Sequence, residues 1–198
     1  MSSGFMEENE KSIEELKSGN RAAFENMFHR WKDPVYGYVL KMVRDYSTAQ
    51  DITQEVFLRV MKAVHSYNHR GRFRQWLFTI ASNLVMDHAR KTKRRREVSA
   101  DDSDISDRTA TDTLTALPAG SLSESELRES LLHAVESLPQ EQRSVLLLRQ
   151  YAGLSFKEIA VLDDCSINTA LSRMRYALTN MRKLVSNYFE EAQKNEVR

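Results

Sequence analysis

Two clusters of side chains in this chain have the types and spacing to bind a polyanion. In the first, Arg72, Arg74, Gln75, Ser82, Asn83, Asp87 and Arg90 lie off the apolar stripe of a helical repeat. A dense cationic run, Arg90, Lys91, Lys93, Arg94, Arg95 and Arg96, continues from it. Cations alone neutralise phosphates without choosing a sequence, whereas Asn, Gln and Ser set between arginines can bond base edges. The bland alternative is an ordinary surface helix followed by a solvated basic linker. In the second cluster Asn168, Thr169, Ser172 and Arg173 open a helix, with Arg175 and Tyr176 further along. These are short polar donors plus arginine, suited to a major groove. A plain helical hairpin with a charged outer face is the alternative there.

Other chemistries find little support. The five histidines, His29, His65, His69, His88 and His133, show no metal-ligand spacing with one another or with Cys165, so no metal is assigned. Glycine-rich phosphate loops are absent, and no nucleophile–base pairing stands out, so the expectation is a protein that is not an enzyme and needs no cofactor. Cys165 reads as a small buried apolar residue at a turn. Nothing near it in sequence is arranged to make it a redox sensor.

The elements that must hold these clusters are helical. Phe73, Trp76, Leu77, Ile80, Ala81, Leu84 and Val85 repeat at the period of one buried helix stripe. Upstream, Asn20 can cap a helix through Phe24, Met27, Phe28 and Trp31, and Asp33–Pro34 reads as the N-cap and first residue of another, through Val35, Val39, Leu40 and Val43. Ser12 with Glu15, and Ser47 with Gln50, have capping-box spacing. The helix over about 48–64 is expected to bury Ile52, Val56, Val60 and Met61. Residues 97–123 are rich in Ser, Thr, Asp and Ala, with Pro118 and Gly120, and read as a linker of low helical commitment. Helical patterning then resumes with Leu127, Leu131, Leu132, Val135 and Leu138 as a core face, and Pro139 starts a helix carrying Val145, Leu146 and Leu148.

The segment 153–178 has the layout of a helix-turn-helix. Ser155 and Glu158 form a capping box, a turn follows at Asp163, Asp164 and Cys165, and Ser166 caps a longer helix. The buried face of that helix is expected at Ile167, Ala170, Leu171, Met174, Leu178 and Met181, with Ala160 small at the helix crossing. Asp164 holds the tight-turn position where a left-handed backbone is needed.

The expected fold is therefore all-α: two small helical domains joined by an acidic flexible linker. The boundaries are a disordered N-terminus at 1–10, a first domain at 11–96, the linker at 97–123, a second domain at 124–190 and a tail at 191–198. The formal net charge of +1 over 198 residues conceals strong segregation, because Asp101, Asp102, Asp104, Asp107 and Asp112 follow the cationic run. A solvated acidic patch is their plain reading. One cysteine permits no intramolecular disulfide and suggests a reducing compartment. No apolar run is long enough for a bilayer, and the start of the chain is unlike a signal peptide, so cytoplasmic localisation without membrane insertion is expected.

Three ordered motifs resemble those of bacterial extracytoplasmic-function (ECF) RNA polymerase sigma factors of the sigma-70 family. AQDITQEVFLRV at 49–60 is similar to the A-x-D-(I/L)-x-Q-(E/D)-x-F signature, and FRQWLFTIASNLVMDHAR at 73–90 to the F-x-x-W-L-x-x-I-A-x-N-x-x-x-D-x-x-R pattern. LPQEQRSVLLLRQYAGLSFKEIA at 138–160 resembles the opening of sigma domain four. The resemblance spans about 21–184 and implies a sigma domain 2 helical bundle followed by a sigma domain 4 helix-turn-helix.

The resemblance also implies roles. Asp51, Gln54, Glu55 and Phe57 stand where the family docks on the clamp helices of the polymerase β′ subunit; by themselves the two carboxylates also fit a solvated helix edge. Asn83 falls at the position that reads the −10 element, and the loop from Tyr67 and Asn68 through Arg72 and Arg74 resembles the segment that captures a flipped non-template base. Phe73 and Trp76, being on the stripe, read as core beneath that loop. Arg90, Lys91, Lys93 and Arg94 would hold phosphates, and Asn168, Thr169, Ser172, Arg173, Arg175 and Tyr176 would meet the −35 duplex. The implied partners are core RNA polymerase (β′ clamp helices and β subunit), promoter DNA both as duplex and as melted non-template strand, and an anti-sigma factor. The aspartates of the linker could mimic a nucleic-acid backbone inside the polymerase.

The family often has Leu at Asp163, Gly at Asp164, Val at Ala170 and a basic residue at Leu171. The missing cation at Leu171 removes one expected contact, and Asp163 must face solvent or cap an amide. Two other classes compete. A stand-alone helix-turn-helix regulator would need a sensory or dimerising first module, and a DNA recombinase would need a convergent nucleophile or carboxylate cluster.

Overall fold

A computed structural model describes residues 13–68, 71–99 and 124–196. After a short helical segment over 13–17 come α1 (Arg21–Val43), α2 (Tyr46–Ala63), a 3-10 turn (Val64–Ser66) and α3 (Phe73–Ser99). These make the first module. The second consists of α4 (Glu124–Glu136), α5 (Gln140–Tyr151), α6 (Phe156–Leu162) and α7 (Ile167–Glu196). Helices α3 and α7 run past the expected boundaries at 96 and 190. The expected N-terminal segment 1–10, the acidic residues from Asp101 to Asp112 and the end of the C-terminal tail lie outside the described residues.

Helix α1 is one helix where two were expected. Asn20 caps it, its side-chain oxygen accepting from the amides of Ala22 (2.9 Å) and Ala23 (3.4 Å), and Pro34 sits inside it. A mid-helix proline loses one backbone bond and strains the preceding turn. Packing on both sides of it outweighs that local cost: Ala23 and Met27 before Pro34, and Val35, Tyr38, Val39 and Met42 after it, are all buried. The helix ends at Arg44 with φ 61°, whose amide bonds back to Leu40. Asp45 then caps α2, its carboxylate accepting from the Thr48 amide at 2.7 Å, so the cap lies earlier than the expected Ser47. The Thr48 hydroxyl, and then its amide, hold the Asp45 carboxyl below its usual range.

The stripe of α3 is buried as expected at Phe73, Leu77, Ala81, Leu84 and Val85, but the covered arc is wider. Phe78 is fully enclosed, edge-on to Tyr38 (centroids 5.7 Å) and Trp31 (6.3 Å), and Ser82 is buried although it was expected on the polar face. Elsewhere the expected apolar faces shrink. Met61, Leu131, Leu132, Ile167, Leu171 and Leu178 are substantially exposed; in the second module Leu138, Val145, Leu148, Ala160 and Ala170 are buried as expected, joined by Ala134, Leu147, Leu154, Ile159 and Ala177. A small module has too little interior to enclose every apolar residue on its helices.

The two modules are in contact. Helix α5 lies against α1 and α6 against α3, and buried residues from both modules form one continuous apolar cluster. The helices approach closely at Gly37, where a Cβ would overlap the ring of Tyr151. Gln140 Nε2 also reaches Met86 Sδ at 3.1 Å across the seam.

Candidate functional site

The first cluster is built on the exposed side of α3. Asn83, Arg90 and Arg94 are exposed and recur at seven and eleven residues, so they share one face over about 16 Å. Asp87 lies on the same face, and its carboxylate accepts from Arg90 Nη1 at 3.4 Å. Lys91 and Lys93 are exposed beside this row. Such a surface pair contributes little stability and leaves the guanidinium free to exchange partners.

At the start of α3, Asn68, Arg72 and Arg74 are exposed, whereas Tyr67 is buried. The Tyr67 ring packs on Trp76 (centroids 4.8 Å) and edge-on to Phe73 (5.9 Å); Trp31 completes the group at 6.5 Å from Phe73. Tyr67 was expected at the DNA surface. It stands instead among the aromatic rings that carry the loop, because its large apolar ring gains more from this enclosure than from water. Phe73 and Trp76 hold the supporting positions expected of them.

On α2, Asp51 and Gln54 are exposed and Glu55 is half-buried, its carboxylate accepting from Arg59 Nε at 2.8 Å. Phe57, expected with them in docking, is buried against Phe28 (4.8 Å, edge-on) and so sits beneath the surface. Sequence reasoning missed the apolar members of this face. Leu58 and Met61, each 49 % exposed, continue the helical row of Asp51, Gln54 and Glu55. Their spacing was the available signal.

The caps and the turn of the helix-turn-helix in the second module form as the sequence specifies. The Ser155 hydroxyl accepts from the Glu158 amide (3.3 Å), and Glu158 Oε2 accepts from the Ser155 amide (2.8 Å), closing the capping box. Asp164 adopts φ 48° in the turn, and the Cys165 amide bonds to the Ala160 carbonyl at 2.9 Å, which stops α6. The Ser166 hydroxyl accepts from the Thr169 amide at 3.0 Å and starts α7. Asn168, Arg175 and Tyr176 are exposed; Thr169, Ser172 and Arg173 are half-buried. Arg173 turns toward Asp163, with 3.9 Å between Nη1 and Oδ2.

Asp163 neither faces open solvent nor caps an amide. Its Oδ1 accepts from the Ser144 hydroxyl at 3.3 Å. Burial pushes its carboxyl above the usual range, against the opposing pull of Ser144 and Arg173, and Glu141 adds to the rise. Across the seam the Tyr38 hydroxyl is buried near those of Ser82 and Ser144, but no aligned hydrogen bond reaches it, and burial pushes it up to about 12. Arg143 donates Nη1 to the Glu136 carbonyl at 3.1 Å while its Nε has no partner; burial and then repulsion from Arg44 lower it to about 10. Glu158 is raised by burial, but bonds from Ser155 and the charges of Arg74 and Arg72 prevail and hold it below its usual range.

Among the described residues, no helix is long and apolar enough to cross a membrane, and no three His, Cys, Asp or Glu side chains are grouped to hold a metal.

An exposed cationic helix in one helical module and a helix-turn-helix in the next give the chain two surfaces of the kind that bind nucleic acid. Residues 27–95 match Sigma-70 region 2, and residues 128–181 match Sigma-70, region 4. The chain is 32 % identical over 176 residues to the RNA polymerase sigma factor CarQ of Myxococcus xanthus, covering 87 % of this chain and 95 % of the relative. It is 28 % identical, again over 176 residues, to the ECF RNA polymerase sigma factor SigW of Bacillus subtilis, covering 87 % and 94 %. The fold is similar to that of the sigma factor RpoE crystallised with the anti-sigma factor NepR from Bartonella quintana (TM-score 0.62, 22 % identity, covering 82 % of this chain and 96 % of that one). The chain belongs to the extracytoplasmic-function group of the sigma-70 family and is an RNA polymerase sigma factor.

Proposed function

We propose that this sigma factor docks on core RNA polymerase through α2, reads the −35 element as duplex with the start of α7, and reads and helps melt the −10 element with α3 and the loop before it. The observation that carries this reading is the exposed row Asn83, Arg90 and Arg94 on a single rigid helix, next to the aromatic-supported Asn68, Arg72 and Arg74. One face then supplies a base-bonding amide with phosphate-binding cations at fixed spacing. Capture of an unstacked base at the loop offsets the few kcal/mol that unstacking costs, roughly the range of one aromatic or cationic contact. The cations of α3 add affinity without sequence choice and make binding steeply salt-dependent.

Docking draws on Asp51, Gln54 and Glu55 with the exposed Leu58 and Met61, an apolar centre flanked by carboxylates of the kind partner surfaces use. The same faces would be covered by an anti-sigma protein, the regulatory partner the family implies. On the −35 side, Asn168, Arg175 and Tyr176 are open to the groove, while Arg173 must leave Asp163 to reach a phosphate.

The test is transcription from supercoiled promoter libraries by core polymerase with and without the purified chain. The expected outcome is promoter-specific initiation only when both are present, with opening of the −10 bases to permanganate. No retention of the chain on immobilised core polymerase would overturn the reading, as would tight sequence-specific promoter binding by the chain alone.

A further inference from the structure

Helix α7 carries a leucine in a row whose other members are polar. Ala170 and Ala177 are fully buried on its inner side, and Met174 packs against the core. On the outer side Asn168, Leu171 and Arg175 are exposed, three and four residues apart, so they form one row of adjacent side chains. The row spans about 10 Å along the helix. Leu171 was expected inside and is 40 % exposed. A solitary leucine on an ordinary surface needs no explanation. Here it stands between an amide and a guanidinium, on the first turns of the second helix of a helix-turn-helix, the part of that motif that enters a major groove.

Other polar side chains of these turns are engaged within the module. The Thr169 hydroxyl shares a 2.8 Å hydrogen bond with that of Ser166, which caps the helix. Arg173 turns toward Asp163, at 3.9 Å. Asn168, Leu171 and Arg175 therefore make up much of what α7 offers a groove, with Tyr176 further round the helix.

Base edges in the major groove present hydrogen-bonding groups, with one apolar exception, the C5 methyl of thymine. An Asn amide can pair with adenine and an Arg fork with guanine, but an isobutyl group can do neither. Set against adenine, guanine or cytosine, Leu171 strips water from a donor or acceptor and supplies no partner. Set against thymine, it covers the methyl. Such a residue discriminates twice, by burying one methyl and by leaving the edges of the other bases unpaired.

We propose that Leu171 is a specificity-determining residue of this sigma factor and reads the C5 methyl of a thymine in the −35 duplex, between the contacts of Asn168 and Arg175. The inference rests on the reading of α7 as the −35 helix. A lysine or arginine at 171 would favour guanine instead.

The experiment uses holoenzyme assembled from core polymerase and the full chain. Promoters selected from a library randomised across the −35 region are remade with deoxyuridine replacing each −35 thymine in turn, on either strand. The exchange removes the methyl and keeps every hydrogen-bonding group. Competition binding to parent and Leu171→Ala holoenzymes then gives the effect of each methyl, and comparing the two cancels any change in DNA stacking. One deoxyuridine is expected to weaken parent binding about fourfold, the equivalent of about 0.8 kcal/mol for one buried methyl, and to leave Leu171→Ala nearly unchanged. Alanine at this exposed position keeps the helix, which circular dichroism checks. Leu171→Lys is expected to move the selected base at that position from thymine toward guanine. Leu178→Ala, at another exposed leucine about two turns on, is expected to keep the full deoxyuridine effect. A selected −35 sequence with no methyl-sensitive thymine overturns the proposal, as does a deoxyuridine penalty that Leu171→Ala retains or Leu178→Ala removes. Absence of any −35 selection overturns the underlying reading of α7, and the proposal with it.

Discussion

Replacing Asp163 by Asn should make the protein more stable at neutral pH, and the gain should disappear in acid. Asp163 is held among Ser144, Arg173, Glu141 and the Tyr38 hydroxyl, and burial raises its carboxyl above the ordinary value of 3.8. A raised acid binds its proton more tightly in the folded chain than in the unfolded one. Below 3.8 both states are protonated and the group contributes nothing to the pH dependence; as pH rises through the raised folded value, the charged carboxylate progressively destabilises the fold. Asn keeps an oxygen for the Ser144 hydroxyl and brings no charge. The Asp163 side chain is only 12 % exposed, yet Arg173 at 3.9 Å offsets part of the cost. A net gain of about 1 kcal/mol at pH 7 is therefore the expected scale, well below the cost of an unpaired buried ion. For a cooperative unit this large, that is roughly 2–4 °C in Tm. The assay is urea unfolding of both proteins from pH 3.5 to 8, read as the difference between them so that shared titrations cancel. A difference that is flat with pH, or an Asn variant less stable at pH 7, would refute the buried-charge argument and show the pair with Arg173 to be net favourable.

Three further outcomes follow from the same structure. Ser155→Ala should cost about 1 kcal/mol in thermal unfolding, because the hydroxyl that accepts from the Glu158 amide is lost, and Ser155→Asp should restore most of it. Phe78→Ala should cost about 3–5 kcal/mol in urea unfolding, since the ring is fully enclosed between Tyr38 and Trp31 and little around it can collapse. Arg90→Ala in the holoenzyme should weaken promoter binding about equally across −10 sequences and lower the slope of log affinity against log salt by roughly 0.7–0.9; Asn83→Ala should instead reduce discrimination among −10 sequences, measured by competition between promoter variants.

The local framework of this fold is legible in the sequence wherever a short-range signal specifies it. The box of Ser155 and Glu158, the left-handed Asp164 and the cap at Ser166 all form because each depends on residues within a few positions. The stripe from Phe73 to Val85 is legible for the same reason, as its period alone implies a buried face. Errors arise where distant packing decides. Pro34 reads as a helix start, but the apolar residues on either side of it keep α1 continuous. Phe78 and Ser82 read as off-stripe because α3 is covered over a wider arc than a single stripe. Leu131, Leu171 and Leu178 fit a helical period yet remain exposed, since periodicity shows which residues share a face and not whether anything covers it. Of the candidate contacts, Tyr67 and Phe57 prove to be supports inside the module. The opposition of Gly37 and Tyr151, and of Glu158 with Arg72 and Arg74, joins residues far apart in the chain and has no sequence signature.

Because Asn83, Arg90 and Arg94 ride on one uninterrupted helix, α3 works as a ruler. The interval between the Asn83 amide and the two guanidinium groups is graduated by helical rise and cannot be adjusted independently at either end. One residue inserted between Asn83 and Arg90 would swing the downstream cations about 100° around the axis while moving them only about 1.5 Å along it. Length variation in this stretch is thus far more disruptive than most single substitutions.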